Sequence, residues 1–580
     1  MACDSFGEIA HLARLTKPRI GVVTAVNRAH LAIFDTQDAI ASEKGRLVES
    51  LPREGTAILN YDDPRVWAMR ERTEADIITY GLSPDADIVA SDVRFDTEGL
   101  QFQVHFAGAH GMGLRGYPAK AEVRTRLIGR HHVHTVLAAI AVGLCYNISW
   151  DDMADALDDL APYRGRLNPL EGIAGTVLLD DSFSANPASM SAALQTLKEF
   201  PGKRRIAVLG GMSGLGGYAV EGHRQAAEAL VDFTDLLVTL GERGAWIGKA
   251  ALEMGMPVDR VAMAYTSADA VRCLRERLQP GDVVLAKGDV DVRVERVVRE
   301  LLADRERDSS VHVRQESGWE RARVARPERP TWVEVDLEAI SFNVRRTREV
   351  VGPDVKLLVV LKADAYGHGA VRVAHTAVNN GAAYCGVASL NEAVRLRESG
   401  IDTPILILGY TPAWQAREAL RYGITITLYD PDVARAFSRA AGDLRRVAHA
   451  HVKVDTGMGR LGLLPEQVLP FVQQIRELPN LDLEGIFTHF SVADDEDLAY
   501  TREQLARFQR VVDDFDAVGV HFRLIHCANS AALLRLPETR FNMVRLGLAM
   551  YGLQPSPSVS LPEGFQPALT WKTTVAQVKT

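Results

Sequence analysis

No run of about 18 consecutive apolar residues occurs in this chain, so the sequence offers no helix able to span a bilayer. Cysteine is scarce. The five present in 580 residues (Cys3, Cys145, Cys273, Cys385 and Cys527) are far apart and odd in number, which argues against a disulfide framework or a cysteine-built zinc site. Positive charge is not in excess: a formal charge of −9 leaves no basic footprint for nucleic acid or an anionic membrane surface. The start, MACDSFGEIA, has neither a basic leader nor an apolar core and gives no export signal. Internal repeats and low-complexity tracts are lacking, as is any G-x-x-x-x-G-K-[ST] phosphate loop. These exclusions leave a reduced, cytoplasmic enzyme of ordinary composition, 47% hydrophobic and 24% charged.

The length is too great for one core and predicts roughly three to five domains. One boundary is plain. Residues 303–331, ADRERDSSVHVRQESGWERARVARPERPT, are dense in charge, poor in apolar periodicity and close on prolines, which reads as a linker. Before it, residues 1–145 mix strands (RIGVVTAV, GTAILNYDD) with a helix (DAIASEKGRLVESL). Residues 146–302 carry TVLLDDS, RIAVLGG, DLLVTLG and DVVLAKG with helices between, a doubly wound α/β pattern. After it, eight short apolar runs alternate with helical patterns: KLLVVLKA, YCGVAS, ILILGY, ITITLY, AHVKVD, EGIFTHF, RLIHCANS and MVRLGLAM. Eight such runs over residues 332–555 predict a (β/α)₈ barrel, and residues 556–580 begin a further β-domain.

Polar residues gather at the trailing ends of these runs: Lys362, Arg460 just past the fifth, His489, Asn529, Ser530 and Arg545. The C-terminal strand ends of such a barrel form its active-site face. Each residue alone could equally be a cap or a surface group; their convergence points to a site. VVLKADAYGHGA, residues 359–370, sets Lys362 between an apolar run and a small, turn-prone segment, where an ammonium is expensive unless something uses it.

From TWVEVDLEAISFNV to the end, with VLKADAYGHG, HVKVDTGMGRLG, THFSVAD, HCANSAALL and NMVRLGLAMYGL in order, the chain resembles the alanine racemase family of fold-type III pyridoxal phosphate enzymes. The resemblance implies that Lys362 forms the Schiff base with pyridoxal 5'-phosphate and serves as one base. It implies that Tyr366, Asn529, Ser530 and the backbone at Gly547 and Leu548 hold the cofactor, its phosphate above all. His489 would lie against the ring, and Arg460 would meet the phenolic oxygen and the substrate carboxylate. Arg545 would face the pyridine nitrogen, where a permanent cation opposes ring protonation and favours proton return at Cα over transamination. Lys453 matches a lysine that carries a carbamate in the family. The second base is implied to be a partner-subunit tyrosine, so a homodimer is expected; that tyrosine is expected a dozen or so residues beyond Thr580.

Residues 1–302 resemble the Mur ligase that adds D-alanyl-D-alanine to a UDP-muramoyl peptide, through GEIAHLARLTKPRIGVVTAVNRAHL, GRHHVHTVLAAIAVG, GRLNPLEGIAGTVLLDDSFSANPASM and LAKGDVDVRVERVV. The resemblance implies ATP, Mg²⁺ at His30, a carbamoyl-lysine at Lys44, and ATP contacts at Asn60, Arg166 and Asp180. The chain departs from the pattern at His132, Thr135, Ser184 and Gly211, in KGDV at 287–290, and in having neither a phosphate loop nor the UDP-sugar domain. Both ends read as cut, and the ligase half is expected to be inactive in this chain. The sequence therefore predicts an α/β multidomain fusion: a partial Mur ligase central domain, a Mur ligase C-terminal domain and a pyridoxal phosphate barrel. Its substrates would be alanine and, for the front half, UDP-muropeptide with D-Ala-D-Ala, in peptidoglycan precursor synthesis. Two alternatives stay open, a racemase of another amino acid and a non-catalytic cofactor-binding scaffold.

Overall fold

The computed structural model describes residues 5–28, 31–106, 117–304, 313–314 and 329–579. The chain divides into two compact units, Met1–Ala325 and Arg326–Thr580.

In the first unit, a six-stranded sheet runs in sequence order through Ile20–Val23, Thr56–Asn60, Asp76–Gly81, Ile88–Phe95, Leu100–Phe106 and Lys120–Thr125. Its first four strands are parallel and the last pairings antiparallel. Helix His132–Cys145 buries Val133, Val136, Leu137, Ile140, Ala141 and Leu144, a stripe at three- and four-residue spacing, in one cluster with Ile58, Ile78 and Tyr80. A second sheet has the order Val261–Ala264, Leu236–Leu240, Arg204–Gly210, Asp282–Lys287, Thr176–Asp181, Asn168–Gly172, all parallel except the last edge. Leu236–Leu240 and Asp282–Lys287 are buried along their whole length, as strands covered on both faces must be. Lys287 ends one of them, fully buried, and is neutralised by Asp181 at 2.7 Å.

The second unit closes eight parallel strands into a barrel: Lys356–Val360, Ala382–Val387, Ile405–Ile407, Ile426–Leu428, Ala448–Lys453, Leu481–Phe487, Leu524–His526 and Met543–Leu546. Two four-stranded ladders supply most of it. Bonds from Ile407 N to Thr425 O (3.0 Å) and from Arg545 N to Ala528 O (3.0 Å) join the ladders into a ring. All eight apolar runs of the sequence are strands. Beside the barrel, Thr331–Val335 pairs antiparallel with Leu569–Thr573. Helix Leu337–Val351 begins where the Asp336 carboxylate accepts from the amides of Glu338 (2.8 Å) and Ala339 (3.1 Å).

Candidate active site

The first barrel strand ends at Val360, and the backbone then turns the wrong way. Ala363, Asp364, Ala365 and Tyr366 have φ of 52°, 53°, 56° and 54°, four left-handed residues in succession with no glycine among them. Each costs about 1–2 kcal/mol against the right-handed form. The turn persists because its surroundings over-determine it. The Ala363 amide donates to Glu392 Oε1 at 2.8 Å, and the Ala370 amide to Asp364 Oδ1 at 2.9 Å. Gly367 and Gly369 amides return to the carbonyls of Ala363 and Asp364, each at 3.0 Å, and Ala365 is wholly buried. The result is that Lys362 and Tyr366 share one cavity, with the Lys362 Nζ 5.7 Å from the centre of the Tyr366 ring.

That cavity holds about 430 Å³. Lys362, Tyr366, Lys453, Arg460, His489, Asn529, Ser530, Arg545, Gly547 and Leu548 all line it, together with Phe487, Asp494 and Pro555. The structure thus brings together every barrel residue singled out from the sequence, from the ends of five different strands.

Arg545 is buried at one wall. Its Nη2 donates to Thr488 O (2.8 Å), Cys527 O (2.9 Å) and His489 Nδ1 (3.0 Å), and its Nη1 to His526 Nδ1 (2.9 Å) and His526 O (3.2 Å). A guanidinium only donates, so both histidines accept through Nδ1 and carry their proton on Nε2. Burial lowers the Arg545 pKa to about 10, which still leaves it a cation at neutral pH. His489 is held well below the ordinary imidazole range by burial and then by Arg545, Lys453, Arg460 and Lys362, so it is neutral. Phe487 lies flat on His526 at 4.7 Å and beneath the Lys453 ammonium at 4.6 Å. Lys453 is 5% exposed, and desolvation with the neighbouring Arg545 and Arg460 cations brings its pKa down to about 7.

At the opposite end, the Ser530 hydroxyl accepts from the amides of Gly547 (2.9 Å) and Ala549 (3.3 Å), while Asn529 caps the next helix through the Ala532 amide (3.0 Å). A Cβ built on Gly547 would lie 3.6 Å from both the Ser530 hydroxyl and the Tyr366 hydroxyl, in the space between them. Two hydroxyls and a bare backbone around one small space are the donors an anion takes.

Residues 335–555 match the family model of the alanine racemase N-terminal domain. The alanine racemase of Desulfovibrio desulfuricans is 45% identical over 252 residues, 43% of this chain and 68% of that protein. The chain belongs to the alanine racemase family. The alanine racemase of Symbiobacterium thermophilum is 45% identical over 251 residues, 43% of this chain and 66% of its own. The chain spans about two thirds of the length of these racemases. Residues 1–143 match the Mur ligase middle domain and 165–290 the Mur ligase glutamate ligase domain, so this racemase barrel follows two Mur ligase domains in one polypeptide. Among solved structures, a Clostridium difficile alanine racemase in complex with cycloserine has a TM-score of 0.43 and 37% identity, covering 44% of this chain and 71% of that one. A MurF structure from Acinetobacter baumannii has a TM-score of 0.46 and 25% identity, covering 52% and 63%.

In the ligase unit the expected residues that are described make local contacts. Lys44 Nζ donates to Ala25 O at 2.7 Å, and Asn60 Nδ2 to the adjacent Thr24 O at 2.9 Å. Arg166 lies over the Phe183 ring at 4.3 Å and donates to the Ser184 hydroxyl at 3.2 Å. Asp180 is fully buried, which raises its pKa to about 6, and accepts only the Ser182 amide through one oxygen. His30 lies outside the described residues. In the barrel, sequence pattern alone does not single out His451, His526 and Glu484. The signal was there: each is a polar side chain within a strand run, but a histidine among apolar neighbours reads equally as a satisfied core residue.

Proposed function

We propose that the second unit of this racemase binds pyridoxal 5'-phosphate on Lys362 and interconverts L- and D-alanine. The observation that supports it most is the convergence of ten residues from five strand ends on one cavity. The residues present fit the cofactor: a lysine amine at the mouth, the Tyr366–Ser530–Gly547 space for a phosphate at one end, and a donor-only cation at the other. When bound, the cofactor supplies the electron-withdrawing ring that acidifies the Cα proton of an amino acid. Lys362 would take or return that proton on one face, and inversion needs a second proton donor on the opposite face, the role expected of a partner-subunit tyrosine. Arg545 keeps its proton and so presents a hydrogen-bond donor to whatever acceptor meets it. Arg460, exposed at the rim, is suited to a substrate carboxylate. Lys453, with its pKa near 7, has a neutral amine available to take up CO₂, and the resulting carbamate would put an anion among three cations, Arg545, Arg460 and Lys362. A homodimer and a role in peptidoglycan precursor synthesis complete the reading.

The ligase unit is proposed not to use ATP and Mg²⁺ in this chain because the sequence carries no phosphate loop. Among the described residues, the one cluster of three metal-ligand side chains lies in the barrel unit, and Lys44 and Asn60 are tied to loop carbonyls. We derive no ligation step, and this chain is proposed not to ligate. The test of the racemase reading is chiral chromatography of alanine incubated with the full chain and pyridoxal phosphate. Conversion, or exchange of the alanine Cα proton with solvent deuterium, that is lost in Lys362→Ala supports it; neither conversion nor exchange by the unaltered chain overturns it.

A further inference from the structure

Behind Arg545, away from the cavity, lies a chain of polar groups crossing the barrel interior. Arg545 Nη1 donates to His526 Nδ1 at 2.9 Å; His526 Nε2 meets His451 Nδ1 at 2.9 Å; His451 Nε2 meets Glu484 Oε1 at 3.1 Å. His526 and His451 are wholly buried. The direction of every bond follows from the two ends. Arginine can only donate and an ionised carboxylate can only accept, so each histidine accepts at Nδ1 and donates from Nε2. Reversing either ring would set two donors, or two acceptors, face to face in a dry interior.

The backbone is built around this chain. A Cβ on Gly485 would fall 2.6–2.7 Å from the His451 ring, so glycine at this strand position is what gives the imidazole its room. Phe487 is stacked parallel on His526, within 2° and at 4.7 Å, which fixes that ring's plane. Glu484 is anchored in turn by the Tyr384 hydroxyl and by Arg523 at 3.2 Å. Against the desolvation that would raise it, hydrogen bonds from His451 and Tyr384 bring the Glu484 pKa down to about 2, and burial keeps both histidines neutral. His449, Asp482 and Glu484 also lie within 4.8 Å of one another. Arg523 already occupies that acidic corner, with Asp482 at 2.5 Å, so it is an ion-pair site and not a cation site.

We propose that Glu484 is a positioning residue for the racemase reaction: through His451 and His526 it fixes the orientation of Arg545 and the tautomer that Arg545 meets. This rests on the reading of Arg545 as the cation facing the cofactor ring. Its logic is that only an acceptor-only group at the far end makes the chain run one way. An amide at 484 can donate as well as accept, and so permits the reversed chain, in which His526 presents an N–H to the guanidinium and pushes it away.

The test uses ¹⁵N-histidine-labelled full chain, with and without pyridoxal phosphate, together with Glu484→Gln and Gly485→Ala. The first leaves size nearly constant and removes the charge; the second leaves every charge and displaces the His451 ring. The unaltered chain should show both His451 and His526 as Nε2–H tautomers, in either state of loading. Each variant should shift part of the His526 signal to Nδ1–H and lower kcat by about 10-fold with the alanine KM changed less than about twofold. An Nδ1–H or doubly protonated His451 or His526 in the unaltered chain overturns the proposal, whether or not a variant folds. So do folded variants with unchanged tautomers and kcat. Failure of the unaltered chain to bind cofactor would instead count against the reading of the site, since the tautomers are read without it.

Discussion

Arg545 and His489 meet inside the cavity through a single hydrogen bond, guanidinium Nη2 to imidazole Nδ1, at 3.0 Å. The bond ties a cation that keeps its proton at neutral pH to a histidine that stays neutral there, so this pair does not change charge across neutral pH. Arg545→Lys keeps the charge and loses the fork: one ammonium cannot reach two imidazoles and three carbonyls. We expect kcat/KM for alanine to fall about 10²-fold while the protein still folds. Steady-state kinetics with circular dichroism checks this, and a loss under about threefold would deny Arg545 its place at the ring.

Lys453 makes stability depend on pH in an uncommon direction. Its pKa falls from 10.5 to about 7 on folding, chiefly by desolvation, so between those values the unfolded chain holds a proton that the folded chain has released. Stability then rises with pH across that window, and the full cost of the buried ammonium, a few kcal/mol, is felt below about pH 7. Lys453→Met should be more stable than the parent at pH 6, with the difference shrinking towards pH 10. Denaturant titrations across the range measure it, and a difference that does not change with pH would rule the shift out.

The left-handed turn gives a test free of catalysis. Ala363 sits at φ 52°, a conformation that glycine adopts without penalty. Ala363→Gly should raise stability by about 0.5–1 kcal/mol, the strain relieved exceeding glycine's added chain entropy. Thermal unfolding reads the sign; a destabilised variant would show that the surrounding bonds, and not the backbone, set the energy of this turn.

Much of the barrel was legible because fully buried parallel strands read as continuous apolar runs, and because a polar residue ending such a run has few structural uses. Lys362, His489 and Arg545 stood out for that reason. The handedness of residues 363–366 was not legible, since alanine and aspartate give no positive-φ signal of the kind glycine does; only the Glu392 and Ala370 bonds impose it. The state of Lys453 depends on Arg545, far along the chain, and no local pattern carries that. The chain from Arg545 to Glu484 is hidden for the same reason: its four members come from four strands and become one feature only when the ring closes. In the front half, Asn60 reads as a nucleotide contact and Lys44 as a carbamoyl-lysine; in the fold each donates to a carbonyl of the loop after Ile20–Val23.

The space between Ser530, Tyr366 and Gly547 is a further test. A Cβ alone fits at ordinary contact distance, so Gly547→Ala should fold and bind with little change, while the branches of Gly547→Val enter the space. We expect the valine variant to lose at least about 10-fold in pyridoxal phosphate affinity without loss of thermal stability. Equilibrium dialysis measures it; equal affinity in the two variants would move the phosphate elsewhere.

The central claim is that Lys362 holds the cofactor. Borohydride reduction of the full chain loaded with pyridoxal phosphate, followed by proteolysis and mass spectrometry, reads this directly. The account predicts one reduced pyridoxyl group, on Lys362 within VVLKADAYGHGA. A label confined to another lysine, Lys453 included, or no label at all, would contradict it.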